Sequence, residues 1–208
     1  MIERLQGTKE GRTQEPAEDS IRQIDWDLLP DSVVAWVEIP DTNVDGPVAQ
    51  GNEQSPDHYL YNDALGLGTY GTPYIDWECT PESGYVAVCG HYMDDGSQFA
   101  DVAKCSDRDY AEEHQTIYWY IRADNARYEL KVVAVDVLNA SCETQHTGFK
   151  EDTDRIAYLK EKLSASDTWS LKNRIWRLDS SFRSRLVVTK LGTPGRSYTH
   201  SSIRAEAP

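Results

Sequence analysis

The chain has no run of about 18 apolar residues, so no stretch of it reads as a membrane-spanning helix. Its first residues lack the apolar centre of a signal peptide, and no transmembrane anchor is expected within the sequence. None of the four cysteines (Cys79, Cys89, Cys105 and Cys142) forms a CxxC pair. That argues against the zinc sites such pairs build, and the spacings demand no disulfide. The cysteines read most simply as small buried or half-buried residues. Positive charge is scarce: 21 Lys and Arg face 35 Asp and Glu, a formal net charge of -14. With no basic stripe to offset it, nucleic acid and anionic membranes are disfavoured as partners, and the acidity reads as solubility. No internal repeat or low-complexity segment is visible.

What the chain does have is aromatic and β-branched material. Six Trp and twelve Tyr in 208 residues, with 39% hydrophobic content, suffice for one sizeable core in a single domain. Met1 to Ser20 is polar and reads as disordered or as a frayed helix, leaving 21–208 as the folded domain. Ile21, Ile24, Leu28 and Leu29 share one helical side, capped by Asp19 or Ser20 and ended by Pro30. Strands are expected at Val33 to Pro40, Val44 to Gln50 with Pro47 at an edge position, and Thr72 to Trp77. More follow at Tyr85 to Cys89, Thr116 to Arg122 and Arg127 to Leu138, the last two joined by a hairpin at Asp124-Asn125. Arg185 to Leu191 is the last clear strand, and Ser197 to Ile203 could return from it. Helical turns are expected at Gln98 to Ala103, with Phe99 and Val102 inward, and at Asp107 to His114. One longer helix runs from Asp152 to Leu163, with Ile156, Leu159 and Leu163 on its stripe. Some seven or eight short strands with one real helix favour a mainly β fold, a closed barrel or a sandwich.

The stretch with chemical promise is Tyr85 to Met93. A buried strand stops at Gly90, where the missing Cβ permits a sharp turn or a close approach. His91 follows at the strand end, where an imidazole can serve as acid or base near neutral pH. For a lone Gly-His, an ordinary strand-end histidine is the commoner reading. Asp76 is a second polar candidate near His91 if its strand pairs with the Gly90 strand, although a strand-ending carboxylate is the commoner reading.

Several stretches, taken together and in order, resemble the class B sortases. They are Val34-Ala35-Trp36-Val37-Glu38-Ile39-Pro40-Asp41-Thr42-Asn43-Val44, then Pro47 to Gly51, then His58-Tyr59-Leu60. Gly71-Thr72-Pro73-Tyr74-Ile75-Asp76 resembles that family's Gly-x-x-Phe-Ile-Asp strand. Gly90-His91-Tyr92-Met93 matches its Gly-His-x-Met motif, and Phe99 the Phe that follows. Asp107 to Tyr118 and the helix at Asp152 to Leu163 resemble class B in particular. The similarity runs from about Ile24 to Leu191 and favours a catalytic origin for His91.

The resemblance implies a closed seven- to eight-stranded sortase-like β-barrel with an N-terminal helix and one inserted late helix. It implies a cysteine transpeptidase, related to thiol proteases and hydrolases, that anchors surface proteins to the Gram-positive cell wall. Such an enzyme works at the extracellular face of the cell membrane. Its partners would be the sorting-signal peptide of a surface protein and an amine acceptor on a cell-wall precursor or pilin, with no cofactor and no metal. A thiolate attacks the peptide, a histidine acts as acid and then base, and an arginine steadies the oxyanion.

The family's Thr-Leu-x-Thr-Cys aligns here with Leu186-Val187-Val188-Thr189-Lys190. The nucleophile position therefore holds Lys190, and transpeptidation is not expected of the chain as it stands. A pseudoenzyme or peptide-binding module that keeps the groove without turnover is the alternative. The arginine is assigned to Arg196, with Arg204 and His200 also in the window.

Overall fold

The computed structural model describes residues 22–66, 68, 70–83, 85–91, 93, 95–139, 149, 151–165, 169–170, 184–191 and 199–206. The strands at 184–191 and 199–206 are described by backbone and register. The expected polar segment 1–20 lies outside these residues, as do Cys142, Trp176 and Arg196.

Among the described residues nine strands form one sheet: β1 (Val33–Glu38), β2 (Asp45–Gln50), β3 (Tyr74–Ile75), β4 (Ala87–His91), β5 (Thr116–Ile121), β6 (Ala126–Asn139), β7 (Trp169–Ser170), β8 (Ser184–Leu191) and β9 (Thr199–Glu206). Their order is β5-β1-β2-β3-β4-β8-β9-β6-β7, and β5 also pairs with β6. The mainly β reading holds, and the described residues hold eight strands besides the two-residue β7. Strand β7, which pairs with β6, lies where no strand is expected from the sequence. Among the same residues four α-helices interrupt the strands: α1 (His58–Tyr61), α2 (Ala100–Lys104), α3 (Arg108–Glu113) and α4 (Asp152–Ala165).

Most elements follow from local chemistry. Val33 to Glu38 alternates buried and half-buried residues, the period of a strand with one face on a core. Pro47 is tolerated because β2 meets β3 only at Ala49 and Gln50, so the missing N–H falls on an unpaired edge. Asp124 Oδ1 accepts from the Ala126 amide, and Asn125 turns at φ 49°, which closes the β5–β6 hairpin. Asp107 caps α3 by accepting from the Tyr110 amide.

The expected N-terminal helix is not there in the described part. Residues 26–28 make a single 3-10 turn capped by Asp25, and Leu28 is 81% exposed. Pro30 leaves too few residues for the apolar stripe to be buried along a helix. The strand expected at Thr72 to Trp77 shrinks to Tyr74–Ile75, whereas β4 runs one residue past Gly90 to include His91.

The core gathers side chains from β1 to β6 with Phe99 and Val102. Trp119, Phe99, Ile75, Ile117, Ile121, Leu130 and Val88 are fully buried in it. Each such side chain contributes about 1.5–3 kcal/mol by leaving water. A smaller cluster of Ala49, Tyr74 and Cys89 lies apart from this core, packed against Tyr59, Leu60 and Ala64. Among the described residues no helix is long and apolar enough to cross a membrane.

Candidate active site and its relatives

Strand β4 presents different chemistry on its two faces. Val88 belongs to the main core, and the position a Gly90 Cβ would take lies 2.6 Å from Phe99 Cδ2. Cys89 joins the outer cluster under α1, and half-buried His91 meets the same short helix through the Leu60 carbonyl. Alternation along the strand thus puts Val88 and Gly90 toward Phe99 and the core, and Cys89 and His91 toward α1.

His91 Nε2 lies 2.5 Å from the Leu60 carbonyl oxygen. The His91 carbonyl in turn accepts from the Phe99 amide at 3.0 Å, which folds the segment after β4 back over its end. Gln98 Nε2 donates to the Gly71 carbonyl at 3.2 Å, tying that segment to the chain entering β3.

Strand β8 lies beside β4 in parallel register: Cys89 is level with Thr189, Gly90 with Lys190, and His91 with Leu191. Neighbouring strands stand about 4.8 Å apart. The backbone of Lys190 is therefore one strand spacing from Gly90, next to the histidine position.

The other candidates divide. Arg204 in β9 is level with Val187, three residues back along β8 from Lys190. His200 pairs with Leu138 on the far edge of β9. Arg196 falls between β8 and β9 in sequence, outside the described residues. Asp76 does sit beside β4, but its amide donates to the Ala87 carbonyl at 2.9 Å, four residues before His91. At about 3.3 Å per residue that is some 13 Å away. β3 and β4 run antiparallel, so the end of β3 meets the start of β4.

Cys89 shares the outward face with His91 yet makes a poor nucleophile. Burial, foremost, and the Asp76 carboxylate push its thiol up to about 12. Burial likewise pushes up the Tyr74 hydroxyl beside it. Cys79 rises to about 11 and Cys105 to about 12, again chiefly by burial. All three are buried and outside any disulfide, and thiols held protonated do not attack.

Two features of the site escape a reading by residue type. One is the Leu60 carbonyl, which presents no side-chain signature. The other is Gly71, at φ 74°, whose Cβ would lie 2.5 Å from the carbonyl oxygens of Tyr59 and Leu60. The glycine cluster before β3 was the available signal. A cavity of about 240 Å³ opens nearby, lined by Val37, Val44, Leu65 and Phe99 with Asp63 and Gln98 on its wall; His91 does not line it. Among the described residues, no group of three or more His, Cys, Asp or Glu could hold a metal ion.

No protein-family model matches the chain. Sortase B of Listeria monocytogenes serovar 1/2a is 31% identical over 140 residues, 66% of this chain and 55% of that protein. The chain thus spans about half the length of that curated relative. A solved structure of sortase B from Listeria monocytogenes matches with TM-score 0.68 at 25% identity, over 84% of this chain and 94% of that one. A Staphylococcus aureus sortase B–substrate complex matches in fold with TM-score 0.71 at 18% identity, over 88% of this chain and 83% of that one. These likenesses agree with the ordered motifs around Gly90 and His91 and support a place for the chain among the class B sortases.

Proposed function

We propose that this chain is a sortase-type transpeptidase domain whose nucleophile position is Lys190, so that it binds a sorting-signal peptide but does not turn it over. The observation that carries this reading is the parallel register of β4 and β8, with Lys190 level with Gly90 and Leu191 level with His91. An imidazole at one strand end and the attacking group at the next is the juxtaposition that acyl transfer needs. The pairing of β5 with β6 supports reading the sheet as the family's closed barrel.

The chemistry decides what the lysine permits. A thiolate would attack the peptide carbonyl, displace an amine and leave a thioester. His91 would donate a proton to the departing amine and take one from the incoming amine. An ammonium has no lone pair for that attack, and a neutral lysine would form an amide, which an amine acceptor does not readily open. Arg196 would steady the oxyanion and hold the peptide. The substrate class is a surface-protein sorting signal and the acceptor an amine on a cell-wall precursor or pilin, at the outer face of the cell membrane. The substrate bound in the Staphylococcus aureus complex supports the peptide part of this reading.

The test is Lys190→Cys, assayed with a pool of fluorogenic sorting-signal peptides and an amine acceptor. Thiol-dependent cleavage and a trapped acyl adduct are expected from the variant, with neither from the wild type. Peptide binding without turnover by the wild type, measured by calorimetry, completes the expectation. If the variant forms no adduct and neither protein binds peptide, the proposal fails.

A further inference from the structure

The Leu60 carbonyl is left open by its surroundings. Helix α1 ends at Tyr61, and Asn62 is extended at φ -123° and ψ 127°. The amide that would continue the helix onto Leu60 belongs to Ala64, and it donates instead to Thr72 Oγ1 at 2.8 Å. The Thr72 amide donates to the Tyr59 carbonyl at 2.9 Å, which pins the helix to the start of the β3 segment. Gly71 precedes Thr72 at φ 74°, and any Cβ there would strike the Tyr59 and Leu60 carbonyl oxygens at 2.5 Å. The Leu60 oxygen therefore keeps its place only beside a residue without a Cβ. That oxygen is the one that faces His91 Nε2.

A carbonyl oxygen only accepts, so the nitrogen facing it must carry a proton. We infer that Gly71 and Thr72 are positioning residues for His91: they hold the Leu60 carbonyl where it fixes the neutral ring as the Nε2–H tautomer. Nδ1 is then the nitrogen left to accept a proton. The inference rests on the proposed role of His91 only for its use, since the ring is fixed whether or not a peptide binds. It assigns the acid–base orientation to backbone rather than to a carboxylate, and Asp76, the side chain first suspected, is too far along β4 to supply it.

The experiment uses the full chain labelled with ¹⁵N-histidine, with the His91 signals identified by their loss in His91→Gln. At a pH where the ring is neutral, the wild type should show protonated Nε2, bare Nδ1 and an Nε2–H proton that exchanges slowly with water. In Gly71→Ala that proton should exchange at least tenfold faster, and the nitrogen shifts should move toward a mixture of tautomers. Thr72→Val should act in the same direction, and Thr72→Ser, which keeps the hydroxyl, should restore the wild-type signals. Backbone amide signals of β5 and β6 serve as the check that each variant is folded. If Gly71→Ala does not fold, the Thr72 pair carries the decision. A wild-type ring protonated on Nδ1 overturns the inference, and so do folded variants with unchanged exchange. These spectra are taken without peptide, so a failure of peptide binding or cleavage counts against the proposed function alone.

Discussion

Replacing Gly90 with alanine tests how the site strand is seated on the core. The new Cβ would lie 2.6 Å from Phe99 Cδ2, 2.7 Å from Cε2 and 3.2 Å from Cγ. Phe99 cannot swing aside, because it is 1% exposed and packed within the main cluster. Its amide is also tied to the His91 carbonyl. Overpacking of this kind costs about 1–3 kcal/mol. Against it stands the gain from restricting the unfolded chain, about 0.4–1 kcal/mol for Gly→Ala. Gly90 does not adopt a positive φ, so no backbone strain is added. The net expectation is destabilisation by about 1–2 kcal/mol. Phe99→Leu alone should cost about 1–2 kcal/mol, less than a full truncation to alanine. The decisive quantity is the double variant. With the ring gone the Cβ has room, so the two losses should sum to at least about 0.5 kcal/mol more than the double variant shows. Urea unfolding followed by tryptophan fluorescence reads all four proteins, with the slope unchanged if the transition stays two-state. Strict additivity, or a Gly90→Ala protein as stable as the parent, would refute the contact.

Three further predictions concern the surroundings. Burial pushes the Asp101 carboxyl up, but the Asn43 amide at 2.7 Å and the Lys104 ammonium, also at 2.7 Å, outweigh it and hold the group below its ordinary range. A depressed carboxylate stabilises the fold above its unfolded pKa, about 3.9, and loses that contribution as pH falls through the folded value. Acid unfolding monitored by circular dichroism should therefore flatten below about pH 4 in Asp101→Asn, at a cost of about 1–3 kcal/mol near neutral pH. Cys79, Cys89 and Cys105, pushed to about 11, 12 and 12, should resist iodoacetamide at pH 8 in the native chain, as read by peptide mass spectrometry. Their raised values also mean that stability falls as pH climbs from the unfolded thiol range, about 8.5, toward 12. Asp107→Ala removes the α3 cap and should cost about 1 kcal/mol in thermal or urea unfolding, without moving the His91 signals.

The sequence was legible where one residue's chemistry settles its own neighbourhood. The strand at Thr116 to Ile121, the cap at Asp107 and the helix from Asp152 all appear where the residue pattern puts them. Gly90 was readable as a place of close approach, and Phe99 is what approaches. What stayed hidden depends on partners distant in sequence. The apolar residues before Pro30 have a helical period, yet tertiary burial, which decides whether such a stripe forms a helix, is missing at Leu28. Asp76 could be placed beside the Gly90 strand but not at a given height along it, because strand direction does not show in composition. The carbonyl facing His91 was invisible for the plainest reason, that every residue has one.

That last point bears on how the site and the fold relate. The histidine's surroundings are made of backbone: the Leu60 carbonyl, the close approach of the chain at Gly71, and the Phe99 amide on the His91 carbonyl. The register of β8 on β4 is likewise set by main-chain hydrogen bonds running through Thr189, Lys190 and Leu191. None of these depends on a thiol at position 190. If Lys190 stands where the family has its nucleophile, the change removes reactivity while leaving the pairing that brings the two strand ends together. Folding and chemistry are then separable at one residue, because a strand end contributes its amide and carbonyl to the sheet whatever side chain it bears. A chain with that change can lose turnover and keep its architecture, and the place to test for retained function is the shared end of β4 and β8 rather than stability.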